Sequence, residues 1–262
     1  MQLMTRLFST VAVVLILAAP GWADPFFFTT GNTDGRIGVA SRPPSADGSK
    51  IEIEAADDFI LSSETLLYGA VFTCLLPVGT TTDDIGTVTV EIYRVFPNDS
   101  DTTRTPNVPT RVNSPSDVEF DDRSSDKAPG TGNLAFSFVV LQLQYTADNS
   151  VINGINPLPN QNTGGEGPVT GWLAQFIVLF VDEFSLPPDH YFIVPQIEIL
   201  NGKGEFLWLS APHNPPQFTG DLQQWVRNSE LDPDWLRVGT DIVGGTTFNG
   251  SFSLLGETVS GQ

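Results

Sequence analysis

The chain has 262 residues, of which 31 are acidic and 12 are Lys or Arg, so its formal net charge is −19. A surface this acidic repels nucleic acid phosphates and anionic membranes, which excludes both as expected partners. A single cysteine, Cys74, excludes an intramolecular disulfide and any CxxC metal or redox motif. Stability is therefore expected to come from an apolar core, which a chain of this length can bury.

The first 23 residues have the pattern of a secretory signal peptide. A positive charge precedes the apolar run 7–19, which leads into the small-x-small motif Gly21-Trp22-Ala23. An anchor that spans a bilayer needs about 20 apolar residues, and this run is shorter. The sequence predicts that residues 1–23 are cleaved and that residues 24–262 form a secreted mature domain. This domain is expected to be extracellular or periplasmic and to have no membrane contact after cleavage.

Strand patterns follow one another along the mature chain. "TVTVEIY" (87–93) alternates as a half-buried strand does, and "WLAQFIVLFV" (172–181) is apolar on both faces, which predicts a central strand covered on both sides. "HYFIVPQIEIL" (190–200) and "GEFLWLSA" (204–211) flank Asn201-Gly202-Lys203, which predicts a hairpin. The sequence predicts an all-β, single-domain β-sandwich of jelly-roll type with long irregular loops.

Two long loops and one ambiguous segment interrupt these strands. The acidic loop 97–132 is irregular, and loops of this length are functional, partly disordered or both. The loop 153–171 is rich in Asn, Gly and Pro, and polar loops on a scaffold commonly carry binding. "GDLQQWVRNSEL" (220–231) fits a short helix N-capped by Asp221 and a strand about equally well.

Several motifs carry a resemblance to known proteins. "AADDFIL" (55–61) followed by "LLYGAVFTCLLP" (66–77) resembles the opening of the ADDF-type β-sandwich domains of exported bacterial proteins. More closely, the chain resembles members that share "VNSPSD" (112–117), "TGGEGPVTG" (163–171) and "DPDWLRVGTDIVGG" (232–245). The resemblance implies a β-sandwich and no assigned activity. Some relatives end in a Pro-Glu-Pro sorting signal, whereas this sequence ends "GETVSGQ", which favours free release.

The acidic pair Asp57-Asp58 is the first candidate site. Neighbouring residues of a strand point to opposite faces, so one aspartate is expected to face the core and the other solvent. A buried carboxylate needs backbone donors or a cation, and calcium takes about six to eight oxygen ligands. Asn249 stands where the resembling family usually has Asp. The sequence leaves open a hydrogen-bonded structural pair and a calcium site of Asp57, Asp58 and Asn249.

Carbohydrate binding is the second hypothesis. Trp208, Trp225 and Trp235 are candidate ligand-binding residues, because exposed aromatic rings in a row stack on sugars. Their apolar surroundings favour core packing instead. A polysaccharide or another cell-surface component would be the partner of such a module.

A secreted carbohydrate-active hydrolase is the alternative from a different class. Glu52 and Glu54 share one face of a strand, but a glycosidase needs paired carboxylates about 5 to 10 Å apart across a groove. His190 and His213 are the only histidines, and neither a Gly-x-Ser-x-Gly nor a His-Glu-x-x-His motif accompanies them. We expect a non-enzymatic binding or structural module, and the sequence does not determine its oligomeric state.

Overall fold

The computed structural model describes residues 23–153, 155 and 163–259 of the chain. The predicted signal peptide therefore lies outside the described residues, except for Ala23. The described part is built from strands, with one turn of 3-10 helix at Thr82–Asp84 and one π-helical turn at Val238–Val243. The strands are β1 (Ala23–Thr29), β2 (Ile37–Ala40), β3 (Ile53–Leu61), β4 (Thr65–Leu76), β5 (Ile85–Arg94), β6 (Asp121–Ser124), β7 (Leu134–Ala147), β8 (Asn149–Val151), β9 (Val169–Leu186), β10 (Asp189–Ile199), β11 (Leu207–Pro212), β12 (Trp225–Asn228), β13 (Leu236–Arg237), β14 (Phe248–Gly250) and β15 (Phe252–Val259).

The strands form two sheets, which confirms the predicted all-β sandwich. The large sheet has the order β1-β15-β4-β11-β2-β8, with β9 on the other edge of β4, β7 beyond β9, and β14 beside β11. The small sheet has the order β13-β12-β3-β10-β5-β6. Buried side chains from both sheets, such as Phe59 of β3 and Phe72 of β4, belong to one apolar core. The jelly-roll type of sandwich stays a prediction.

Strand β3 shows how the sequence divides between the two faces of the small sheet. Ile53, Ala55 and Phe59 point into the main core. Ala56 points the other way, into a second apolar cluster on the outer face. The period of two therefore places Asp57 inside the sandwich and Asp58 on the outer face.

The predicted hairpin between residues 190–200 and 204–211 is wrong. Asn201 and Gly202 have φ angles of 61° and 63°, so the chain does turn there. However, β10 pairs with β3 and β5 in the small sheet, and β11 pairs with β2, β4 and β14 in the large one. An Asn-Gly turn reverses the chain without choosing a partner, and both strands are buried between other neighbours.

Three other expectations are resolved by the structure. Segment 97–132 is not irregular throughout, because it contains β6, which extends the small sheet. Within 220–231 the structure has the strand β12 and no helix. Strand β9 is central, as predicted, but its outer side is uncovered: Leu179 is 55% exposed and Val181 48% exposed.

Candidate functional site

Asp57 ties the small sheet to the large one. Its side chain is fully buried, and its Oδ2 accepts a hydrogen bond of 2.9 Å from the backbone N–H of Gly250 in β14. Its Oδ1 has no hydrogen-bond partner in the described part of the chain. Burial, followed by the charges of Asp58 and Asp221, raises the pKa of Asp57 well above its usual value. The carboxyl group therefore tends to keep its proton.

Asp58 points to the outer face but does not reach solvent, so that part of the expectation is wrong. It is fully buried because the chain around Leu222 covers it, and the Leu222 N–H lies 3.1 and 3.2 Å from its two oxygens. His190 Nε2 lies 2.7 Å from Oδ2. Burial raises the pKa of Asp58, while the bond to His190 opposes that shift.

Asp221 and Asn249 complete an acidic cluster, defined here as Asp57, Asp58, Asp221 and Asn249. Asn249 is fully buried, and its Nδ2 donates to both oxygens of Asp221 at 3.0 and 3.1 Å. Burial raises the pKa of Asp221, and the charge of Asp221 contributes to the raised pKa of Asp57. Sequence reasoning placed Asp221 only at a helix cap, because nothing local indicates that it approaches β3.

The acidic cluster does not present a preformed set of ligands for a cation. Two of its oxygens, Asp57 Oδ1 and Asn249 Oδ1, have no partner among the residues that the structure describes. Within those same residues, no group of three or more His, Cys, Asp or Glu side chains is arranged to hold a metal ion. Calcium at Asp57, Asp58 and Asn249 therefore stays a prediction, and the observed bonds fit the hydrogen-bonded alternative.

A polar cleft of about 320 Å³ lies beside the acidic cluster. His213 stands in its wall, with Nδ1 3.0 Å from Thr247 Oγ1 and Nε2 4.0 Å from Asp221 Oδ2. We call this the His213 cleft. Its lining combines hydroxyl, amide, carboxylate and guanidinium groups from segments distant in sequence: Thr110, Val112, Asn113, His213, Asp221, Leu222, Gln223, Trp225, Arg237 and Thr247.

The three candidate tryptophans do not form an exposed row, so the stacking hypothesis is wrong for them as a set. Trp208 is 0% exposed, and Trp225 and Trp235 are each 1% exposed. Trp208 Nε1 donates to the Ser251 carbonyl at 3.0 Å, and Trp235 Nε1 to the Ser116 carbonyl at 3.3 Å. Trp225 alone of the three lines the His213 cleft.

A second buried polar network, which sequence reasoning touched only through Glu54, lies on the outer face of the small sheet. The Tyr93 hydroxyl lies 2.9 Å from Glu54 Oε1 and 3.1 Å from Glu91 Oε2, and it accepts from Arg227 Nη2 at 2.9 Å. A hydroxyl has one proton to donate, so one carboxyl must carry its own. Burial and then the charge of Glu54 raise the pKa of Glu91, which favours Glu91 as that group.

The geometry of this pair does not match a glycosidase. Glu54 Oε1 and Glu91 Oε2 lie 2.9 and 3.1 Å from the same Tyr93 hydroxyl, and Glu54 is 4% exposed, so the two carboxyl groups do not face each other across an open groove as those of a glycosidase do. Arg227 also holds Glu54 through two of its nitrogens. The network is therefore a buried ion pair of Glu54 and Arg227 beside a Glu91 carboxyl group of raised pKa.

No protein-family model matches the chain, and no curated protein or solved structure is significantly similar to it. The resemblance to ADDF-type domains thus rests on the motifs of the sequence. Among the described residues, no helix has the length and apolar character needed to cross a membrane.

Proposed function

We propose that this protein is an exported, non-catalytic binding module that holds a neutral carbohydrate in the His213 cleft. The observation that carries the proposal is the cleft itself. Its volume of about 320 Å³ lies within the range of roughly 300–1,000 Å³ typical of small-ligand sites. It also opens between loops of a β-sandwich, where added binding functions are commonly found.

The lining groups suit the hydroxyls of a sugar. Each hydroxyl can donate one hydrogen bond and accept others, so a site needs both donors and acceptors. The Arg237 guanidinium donates, and the hydroxyl and amide groups of the lining both donate and accept. Bonds among neighbours hold these groups in place: Arg237 Nη2 lies 2.7 Å from Asp241 Oδ1, and Thr240 Oγ1 lies 3.1 Å from Gln223 Oε1. Such preorganisation lowers the cost of binding.

Charge and burial narrow the class of sugar. The chain has a net charge of −19, and Asp241 already neutralises Arg237, so an anionic polysaccharide would be repelled. Trp225 is 1% exposed and offers little ring surface for stacking. Recognition would therefore depend on hydrogen bonds to a neutral glycan, with an affinity in the weak range expected of a small polar site.

A glycan-binding screen of the purified protein, followed by titration calorimetry, tests this proposal. We expect binding of a neutral glycan, and Gln223→Ala and Thr110→Ala should each weaken it about tenfold. Gln142→Ala, which removes a similar amide from an exposed strand position outside the cleft, is the matched control. Failure of all neutral glycans to bind, or equal binding by the cleft variants, would contradict the proposal.

One observation favours a hydrolase as the second candidate. Thr247, His213 and Asp221 lie in the order of a nucleophile, a base and an orienting carboxylate. The 4.0 Å between His213 Nε2 and Asp221 Oδ2 is longer than a hydrogen bond. Such a constellation carries out acyl transfer, so release of acyl groups from an acylated glycan, abolished by Thr247→Ala, would establish this candidate in place of the non-catalytic module.

Export is the remaining part of the proposal and is supported by the leader pattern of residues 1–23. Mass spectrometry of protein recovered from the periplasm or medium should show Asp24 as the first residue. Intact protein that begins at Met1 and stays in the cytosol would contradict export.

A further inference from the structure

The strand β7 (Leu134–Ala147) is an unusually exposed sheet edge. It pairs with β9 and with no other strand in the described part of the chain. Its 14 residues, "LAFSFVVLQLQYTA", include no charged residue, no proline and no glycine. Natural proteins usually protect an edge with charges, prolines or a short strand, because an unpaired row of N–H and C=O groups invites another strand. This edge has none of those three protections.

The part of β7 best suited to pairing is its first half. Residues Leu134–Val140 pair with β9 without interruption, whereas the register shifts between Val140 and Gln142 and again between Gln142 and Tyr145. Bulges of this kind twist a strand away from a straight edge. A partner strand would therefore join along 134–140, whose midpoint is Ser137.

The interior of the sandwich is also incomplete at this edge. Phe136 and Phe138 point inward and stack against Phe176 of β9, with ring centroids 5.6 and 6.4 Å away. Both remain only partly buried, although they pack against the main core. On the other face of the strand, Val139 is 51% exposed and Leu141 53% exposed. Apolar side chains on both faces of the edge thus lack cover.

The charge of the protein indicates what covers them. Two copies of a chain with a net charge of −19 repel each other wherever their acidic surfaces meet. The uncharged strand β7 is a face that a second copy can approach without that penalty. A two-fold axis at Ser137 would pair Phe136 of each copy with Phe138 of the other, because the residues of an antiparallel pair run in opposite directions. Each copy would supply the aromatic neighbours that the other lacks.

We infer that β7 is an interface between two copies of this chain, which join edge to edge in antiparallel fashion about Ser137 and continue the large sheet from one copy into the other. This surface is separate from the His213 cleft, so the two copies would present two clefts on one assembly. Bivalent presentation strengthens attachment to a repetitive surface without any change in the site itself.

Sedimentation of the purified protein over a range of concentrations tests the inference. We expect a monomer–dimer equilibrium that Val139→Lys weakens at least tenfold, since it places two like charges at the joined edges. Val78→Lys makes the same change at a loop residue that is 68% exposed, and it should leave the equilibrium unchanged. A general effect of added positive charge would instead strengthen association in both variants, because each reduces the net negative charge.

Cross-linking tests the register. Cys74 is fully buried, and burial raises the pKa of its thiol, so a new surface cysteine is the reactive one. Ser137→Cys should form a covalent dimer under mild oxidation, and Val78→Cys should not. A monomer at every concentration, a dimer that Val139→Lys leaves intact, or cross-linking at residue 78 alone would each overturn the inference. Capture of a different protein by β7, with the purified chain monomeric, would also overturn it.

Discussion

The outer faces of the two sheets differ in what covers them. The chain around Ser116, Leu222 and Trp235 packs over the outer face of the small sheet. There it buries a second apolar cluster: Ala56, Tyr93, Phe192, Val194, Trp225 and Trp235. The outer face of the large sheet has no such cover among the described residues, and Leu179, Val181 and Val139 are each about half exposed.

The comparison shows that the loops packed on a sheet face determine how the side chains of that face are satisfied. Under the loops, charged side chains are buried and must satisfy each other, as Glu54 and Arg227 do. On the uncovered face, apolar side chains remain in contact with water, although the protein is strongly acidic overall. The first arrangement makes the small-sheet face costly to perturb, whereas the second leaves the large-sheet face free to contact a partner.

The largest effect is expected from Arg227→Ala in the covered network. Arg227 is 5% exposed, and it bonds to Glu54 and to the Tyr93 hydroxyl. Its loss leaves the Glu54 carboxylate buried without its oppositely charged partner, which typically costs about 3–5 kcal/mol. Urea unfolding should show that loss. Arg36→Ala is the control, since its guanidinium is 58% exposed and its pairing with Asp34 should contribute less than about 1 kcal/mol. Equal losses of stability in the two variants would contradict the difference between the buried and the exposed ion pair.

Calcium provides the next test, because it bears on whether the acidic cluster is held by hydrogen bonds or by a cation. A cation that binds only the folded state at a hundredfold excess over its Kd stabilises by about 2.7 kcal/mol. We expect from the observed bonds that the melting temperature in calcium equals that in magnesium and in matched salt. A gain specific to calcium that Asp57→Ala and Asn249→Ala abolish would show a calcium site instead.

The sequence predicts a structural feature correctly when that feature depends on residues that are neighbours along the chain. The period of two along "TVTVEIY" is local, and it correctly predicted strand β5. The residues of "WLAQFIVLFV" correctly predicted a central strand, but they did not predict that its outer side is exposed. An apolar residue on an uncovered face has the same sequence signal as a buried one. Only the position of the loops distinguishes the two.

The candidate site shows the same limit. Asp57 and Asp58 were identifiable as a pair on opposite faces, because alternation along a strand is local. Asp221 and Asn249 reach them through chain segments that lie more than 160 residues away in sequence. The Glu91 carboxyl was missed because its partner Glu54 belongs to a strand two places away in the sheet. Contacts of this kind depend on strand order, which turn residues alone do not encode.

A smaller effect is expected in the dependence of stability on pH. The pKa of Glu91 is raised in the folded protein, by burial and then by Glu54, above an unfolded value of roughly 4. The folded state therefore binds this proton more tightly, so the stabilisation is present below roughly pH 4 and is lost as pH rises through the raised pKa. Asp57 contributes in the same sense. We expect the melting temperature to fall as the pH rises above roughly 4.

Glu91→Gln separates this contribution from the general charge of the protein. Glutamine keeps the shape of a protonated glutamate, so the variant should show a flatter melting profile over the same pH range. Glu230→Gln, at an exposed position, removes one charge without a buried proton and should keep the slope of the parent protein. Parallel slopes for both variants would place the pH dependence elsewhere.

The smallest effect is expected where the two environments meet on one strand. Val178 and Leu179 are neighbours in β9, but Val178 is fully buried in the core and Leu179 is 55% exposed on the bare face. Val178→Thr keeps the shape of the side chain and buries a hydroxyl, which typically costs about 1–3 kcal/mol when the group lacks a partner. Leu179→Thr should change the free energy of unfolding by no more than about 0.5 kcal/mol, because water already contacts that side chain. Urea unfolding at a protein concentration low enough to keep the chain monomeric measures both changes. A cost for Leu179→Thr equal to that of Val178→Thr would mean that this face is covered within a single copy, and the contrast between the two sheets would then fail.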